Sequence, residues 1–250
     1  LFYTQRDFKP AWVKEEGLSP QLASLIAGLK KANDEGLTPE DYHLSRIEEM
    51  ARSVAKGRRK SKSRRISLSA DLDLLATDSF LAYAGHLRQG KVHLETLDAA
   101  WEGACLDPDL VRVLEKSLSS ASIAETLASL SPQHAFYSNL KKALAAYRQS
   151  EKKMRWKLLP EGLTLKKGDK RKAVKLLFRR LSVSSDLPEA KKQNKTIFDE
   201  TLETALRGFQ ARHGLDMTGS LDEPTRNALN VPFEERRRQL ELNLERCRWM

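Results

Sequence analysis

Cysteine is nearly absent: the 250 residues hold two, Cys105 and Cys247, too few for a disulfide framework. Histidine is sparse too, with five residues. His43, His86, His93, His134 and His213 are scattered, and no carboxylate turns the His86/His93 pair into a metalloprotease-type helix motif, so no metal site is expected. No cofactor is expected either. No run of 18 apolar residues is present to span a membrane. Twelve glycines and nine prolines exclude collagen-like and low-complexity chains. The start, LFYTQRDFKPAW, has no initiator Met, no basic n-region and no apolar h-region. The last residues, ERCRWM, carry no helix stop signal. Both ends read as cuts, and a piece of a longer protein is expected.

What is present suits a packed core: 40% hydrophobic and 31% charged residues, enough for one large domain or two small ones. The net charge of +10 is concentrated. Residues 56–65 read KGRRKSKSRR, seven basic and none acidic, and removing them leaves +3. The run reads first as a solvated connector between two helices, disordered by its own repulsion. Its second reading is a loop for phosphate or an anionic polymer. No aromatic residue interleaves it, so base stacking is not supported.

Helix start signals recur along the first 150 residues. Ser19-Pro20 places a cap before a proline at the first helical position, where a missing N–H costs nothing, and Leu22, Leu25, Ile26 and Leu29 then share a face. Thr38-Pro39 repeats the signal before Tyr42, Ile47 and Met50. Ser69 is read as the cap of a long segment through Leu72, Leu75, Ser79, Tyr83 and Leu87, stopped by Gly90. Asp107-Pro108, the Ser122-x-x-Glu125 capping box and Ser131-Pro132 open three more helices, the last presenting Phe136, Leu140, Leu144 and Tyr147. Only RRISLS (64–69) and WKLLPEGLTL (156–165) hint at extended chain. The fold class expected is all-α.

A second unit starts near Trp156. Val174, Leu177 and Leu181 face inward on one predicted helix; Leu202, Ala205, Leu206 and Phe209 share a face on the next, which Gly214 stops. A turn at Thr218-Gly219 precedes a short helix from Asp222, and Pro232 opens a last one.

Residues 162–231 resemble the type-1 peptidoglycan-binding family. The resemblance rests on Gly168-Asp169, Val174-Leu177-Leu181, Phe198-Asp199, Leu202, Ala205, Phe209-Gln210, Gly214-Leu215, Gly219, Thr225 and Leu229. It implies a small three-helix bundle. Gln210 then has two readings, a hydrogen bond to glycan or peptide, or one that pins the following loop. Around this region, FKPAW (8–12), NDEGLTPEDYHL (33–44), DLDLLATDSFLAYAGHLRQGKV (71–92), LSPQHAFYSNLKKALAAYR (130–148) and NVPFEERRRQLELNLERCRWM (230–250) resemble the non-catalytic part of large Gram-negative L,D-transpeptidases.

That resemblance implies a helical scaffold domain over 1–155, with 232–250 returning to it, carrying a peptidoglycan-binding-like domain at 162–231. The helix after Pro232 needs apolar partners for Phe233, Leu240, Leu242, Leu244 and Trp249. The partners implied are peptidoglycan, through glycan and stem peptides, and a C-terminal catalytic domain missing from this chain. The location implied is the periplasm or cell envelope, with an anchoring N-terminal segment also missing. That catalytic domain is marked by a His and S-x-G-C-x-R, which this chain lacks. Cys247 and Cys105 have no indicated base, so no catalytic residue is expected among residues 1–250. Peptidoglycan offers carboxylates, hydroxyls and amides, and Lys170, Arg171, Arg207, Gln210, Arg212 and His213 are the candidate contacts.

Two other classes compete. A basic helical nucleic-acid-binding protein fits the net charge, but most of the excess sits in one run without a helix-turn-helix pattern, so no specific nucleic acid is expected. A hydrolase would need paired carboxylates. Glu15-Glu16, Glu48-Glu49 and Glu234-Glu235 are adjacent, diverge on a helix, and lack an apolar setting.

Overall fold

The computed structural model describes residues 1–14, 17–56, 61–92, 109–120, 122–153, 157–183, 187 and 196–250. Among them are eleven α-helices and one two-stranded antiparallel sheet, the mainly helical class that the start signals predict. Cys105, His93, Glu15, Glu16 and the Asp107-Pro108 signal lie outside the described residues.

The chain divides into two compact units, Leu1–Ala145 with Arg238–Met250, and Ala146–Arg237. The first contains α1 (Phe2–Gln5), the antiparallel strands β1 (Val13–Lys14) and β2 (Gly17–Leu18), α2 (Pro20–Lys30), two 3-10 turns (Lys31–Glu35 and Pro39–Tyr42), α3 (Leu44–Lys56), α4 (Lys62–Gln89), α5 (Leu110–Ser120) and α6 (Ile123–Leu130). The second contains α8 (Lys172–Val183), α9 (Glu200–Arg212) and α10 (Glu223–Asn230). The unit boundaries fall inside α7 (Ala135–Lys153) and α11 (Phe233–Arg248).

The first unit is built around α4. Leu72, Ala76, Phe80, Tyr83 and Leu87 form its inward stripe and pack with Leu22, Leu25, Leu29, Ile47, Leu114, Ile123 and Leu127. Gly28 lets α2 and α6 approach, since a Cβ there would lie 2.9 Å from Leu127. The N-terminal segment is tied down by one buried carboxylate: Asp73 accepts from the backbone N–H groups of Trp12 (2.7 Å) and Val13 (3.0 Å), from Ala11 (2.9 Å) and from the Tyr3 hydroxyl (2.7 Å). One turn along, Thr77 accepts from the Trp12 indole at 2.9 Å.

A second buried polar group joins α7 and α11 to the 3-10 turn at Glu35. Tyr137 donates to Glu35 at 2.7 Å and accepts from Arg248 at 3.0 Å. Lys141 pairs with the same Glu35 carboxylate, and Arg248 also bonds the Glu35 carbonyl and pairs with Glu245 at 2.7 Å. Beside it, Leu144, Leu244 and Cys247 are buried together. Burial pushes the Cys247 thiol up in pKa, only partly opposed by Arg248, so the lowering that its arginine neighbours suggest is not what the fold delivers.

Several start signals are corrected. Ser69 does not cap the long helix but lies inside it: α4 begins at Lys62, with Ser61 accepting from the Arg64 N–H at 3.4 Å, because no Gly or Pro interrupts 62–71. RRISLS is therefore helical, and the two short paired strands lie at Val13–Lys14 and Gly17–Leu18 instead. Thr38-Pro39 opens only a 3-10 turn, closed by His43 at φ 56°. Ser122 directs its hydroxyl to the Glu125 carboxylate and makes no backbone cap bond. Ser131 ends α6, donating to the Ala128 carbonyl at 2.9 Å, and His134 accepts from the Tyr137 N–H in the first turn of α7 at 3.2 Å. Tyr137, rather than Phe136, points inward, since its hydroxyl joins the Glu35 group; Phe136 is 59% exposed. Leu242 is also exposed, while Leu244 is buried.

Candidate binding site

The second unit is a small bundle of α8, α9 and α10. Its core takes Val174, Leu177 and Leu181 from α8, Leu202, Ala205, Leu206 and Phe209 from α9, and Leu229 from α10, as the spacing predicts. Asp199 and Asp222 cap α9 and α10, accepting from Leu202 (3.0 Å) and Thr225 (2.9 Å). Phe198 is buried beside its cap, and its backbone exchanges hydrogen bonds with Gly168 and Asp169, both at 2.9 Å. The segment before α8 is clamped from the helices. Asn230 pairs with both backbone groups of Leu159 (2.8 and 2.9 Å), Arg171 donates to the Thr164 carbonyl (3.0 Å), and Leu165 bridges Leu221.

Gln210 is wholly buried in this bundle. Its amide oxygen accepts from the Gly219 N–H at 2.9 Å; its amide nitrogen faces the hydroxyls of Thr218 (3.0 Å) and Thr225 (2.9 Å) and the Ser220 carbonyl (3.0 Å). An amide has two N–H groups to share among those three oxygens, so it has nothing left to offer a ligand. The loop-pinning reading is the one realised, and Gln210 is removed from the candidate contacts.

The remaining candidates are exposed, and they divide. Lys170 and Arg171 precede α8, where Arg171 is held by Asp169 at 2.9 Å. Arg207 lies on α9 under the 217–220 loop. It donates to the Met217 carbonyl and pairs with Glu203 at 3.3 Å. Arg212, five residues on, points ~140° away around the helix, so Arg207 and Arg212 do not share a face. His213 follows the helix end, its ring against Phe209 with centroids 4.1 Å apart.

Sequence reasoning passed over Lys167. Its ammonium reaches Glu203 at 3.0 Å, which brings the turn before α8 to the same carboxylate as Arg207. Hydrogen bonds from Lys167 and then Arg207 hold the Glu203 carboxyl below the usual range, and Glu203 in turn raises Lys167. The signal available in the sequence was Glu203 and Arg207 at i,i+4; Lys167 had no such signal, because its partner is 36 positions away. The result is a solvent-facing cluster of two cations on one anion, bordered by exposed Met217 and Thr218. It supplies positive charge and hydrogen-bond donors. The paired carboxylates give no acid–base site among the described residues: Glu234 and Glu235 are exposed, and Glu48 is paired with Lys30 at 2.8 Å.

The described residues thus form a helical unit and a three-helix bundle pinned by a buried glutamine and edged by exposed cations. Residues 1–144, more than half of the chain, match the family model described as a scaffold domain, and the chain belongs to that family. Residues 167–229 match the model described as a putative peptidoglycan binding domain. No curated protein matches the chain.

Proposed function

We propose that the chain is the scaffold and peptidoglycan-binding region of a cell-wall L,D-transpeptidase, working in the periplasm. The observation that carries the binding role is the match of residues 167–229 to the putative peptidoglycan binding domain. The transpeptidase assignment rests on the resemblance of the flanking segments, and it puts the Cys nucleophile in a catalytic domain outside residues 1–250. Within the bundle, the Lys167–Glu203–Arg207 cluster is the contact for stem-peptide carboxylates. Lys170, Arg171, Arg212 and His213 widen the basic surface without converging on that cluster.

Sedimentation of the full chain with purified sacculi tests the binding role. The chain is expected in the pellet, with less of it at higher salt, because exposed charges are screened over ~8 Å at physiological ionic strength. A Lys167→Ala/Arg207→Ala variant is expected to weaken the interaction, and an unchanged pellet would remove the cluster from the site. For the parent assignment, the coding sequence after residue 250 is expected to hold the His and S-x-G-C-x-R. Their absence there would overturn it.

A further inference from the structure

The basic run falls outside the peptidoglycan-binding match, and its described part has a definite geometry. Between Ala51 and Ala70 there are eight Lys or Arg residues and no Asp, Glu or aromatic residue. Lys56 closes α3, while Lys62, Arg64 and Arg65 lie in the first turn of α4, and all four are exposed. No side chain of α4 is buried before Leu72, so ~15 Å of helix, ten residues at 1.5 Å each, carries no buried side chain.

Folding gives no local reason for this charge. Cations in the first turn of a helix oppose its dipole, and α4 has no acidic residue there to compensate. Among these cations sits Ile66, 61% exposed. Lys62, Arg65, Ile66 and Ser69 follow helical spacing on the stripe that further along buries Asp73, Ala76 and Phe80. The arm is therefore cationic at its tip with one bare apolar side chain between the charges.

We propose that this end of α3 and α4 docks on an anionic lipid surface. Lys56, Lys62, Arg64 and Arg65 contact the headgroup phosphates, with their aliphatic stems lying along the apolar boundary, and Ile66 enters it. Charge alone would suit any polyanion. Ile66 favours lipid, because neither a glycan strand nor a nucleic-acid backbone offers it an apolar partner, and the absence of aromatic residues removes base stacking. This contact is independent of the bundle's role.

The test is co-sedimentation of the full chain with vesicles of phosphatidylcholine alone and vesicles that also contain phosphatidylglycerol. Parallel arms use sacculi and duplex DNA. Binding is expected to the phosphatidylglycerol vesicles and not to phosphatidylcholine alone or to DNA, while the sacculi pellet expected of the bundle should be the same for the unaltered chain and the variants below. Each cation contributes about fivefold, so Lys62→Gln/Arg64→Gln/Arg65→Gln is expected to lose on the order of a hundredfold. Ile66→Ser is expected to lose several-fold at unchanged charge. Far-ultraviolet circular dichroism checks that both variants keep their helices. Equal binding to both vesicles, or an unaffected triple variant, would overturn the proposal. So would an unaffected Ile66→Ser variant, or DNA or sacculi binding that depends on these residues while the vesicles stay unbound.

Discussion

The buried amide of Gln210 bonds the backbone N–H of Gly219 at 2.9 Å, so a side chain of α9 holds the loop that leads into α10. Removing it strands that N–H and the hydroxyl of Thr225 in a site with no water access. Gln210→Leu is expected to cost about 2–3 kcal/mol. Gln210→Glu should cost more, because it buries a charge and sets a carboxylate oxygen against the Ser220 carbonyl that the amide nitrogen now faces. Urea unfolding of the two variants checks both the size and the order.

The same loop depends on Gly219 for two separable reasons. Its φ of 70° is left-handed, and a Cβ there would lie 2.8 Å from Nε of Arg207. Gly219→Ala is expected to destabilise by more than the ~1–2 kcal/mol that the left-handed backbone alone would cost. In an Arg207→Ala background most of the crowding goes while the backbone cost stays. A double-mutant cycle should therefore show a smaller penalty for Gly219→Ala in that background.

Helix existence was legible because it depends on local chemistry. Ser19, Asp199 and Asp222 each cap the helix that they announce, and Gly90, Gly214 and Gly219 take positive φ where a stop or turn was read. The α8 and α9 stripes of the bundle core, Val174, Leu177 and Leu181 with Leu202, Ala205, Leu206 and Phe209, were legible from spacing, whereas Leu159, Leu165, Phe178 and Leu221 were not read. What failed were signals that a tertiary partner overrides. Phe136 and Tyr137 are equally good on helical period, and distant partners, Glu35 102 positions away and Arg248 111 positions away, select Tyr137. The Ser122-x-x-Glu125 pattern was present, but the hydroxyl chose the carboxylate over the backbone. At the candidate site, Gln210 was singled out by the family resemblance, whereas its partners lie across a loop whose shape no local pattern specifies.

Asp73 makes the N-terminal segment part of the first unit. Its carboxylate is 3% exposed and satisfies three consecutive backbone N–H groups, from Ala11 to Val13. Asp73→Ala leaves those donors unpaired, and a cost of more than about 3 kcal/mol is expected. Asp73→Asn should recover little, because an amide nitrogen would point at an N–H donor. Hydrogen exchange at Trp12 and Val13 gives a local readout: both amides should exchange faster in either variant, well beyond the change at Leu202 in the other unit.

Cys247 is 2% exposed, and burial raises its pKa, so at any given pH the folded chain holds less thiolate than a free cysteine does. The neighbouring Arg248 offers little compensation, since its guanidinium is committed to Glu245, Tyr137 and the Glu35 carbonyl. In a Cys105→Ser background, Cys247 should react with an aromatic disulfide reagent at pH 8 at least about tenfold more slowly than a free thiol. Denaturant should restore the ordinary rate. The linkage has a definite sign: the folded state holds its thiol proton more tightly than the unfolded state. Cys247 therefore contributes its stability below the unfolded thiol pKa of about 8.5 and loses it progressively as the pH rises above that value. Replacing Cys247 with Ala removes the ionisable group, so the variant's stability should fall less steeply between neutral and alkaline pH. Rapid labelling of the folded chain at pH 8 would show that the thiol is accessible and that burial does not control it.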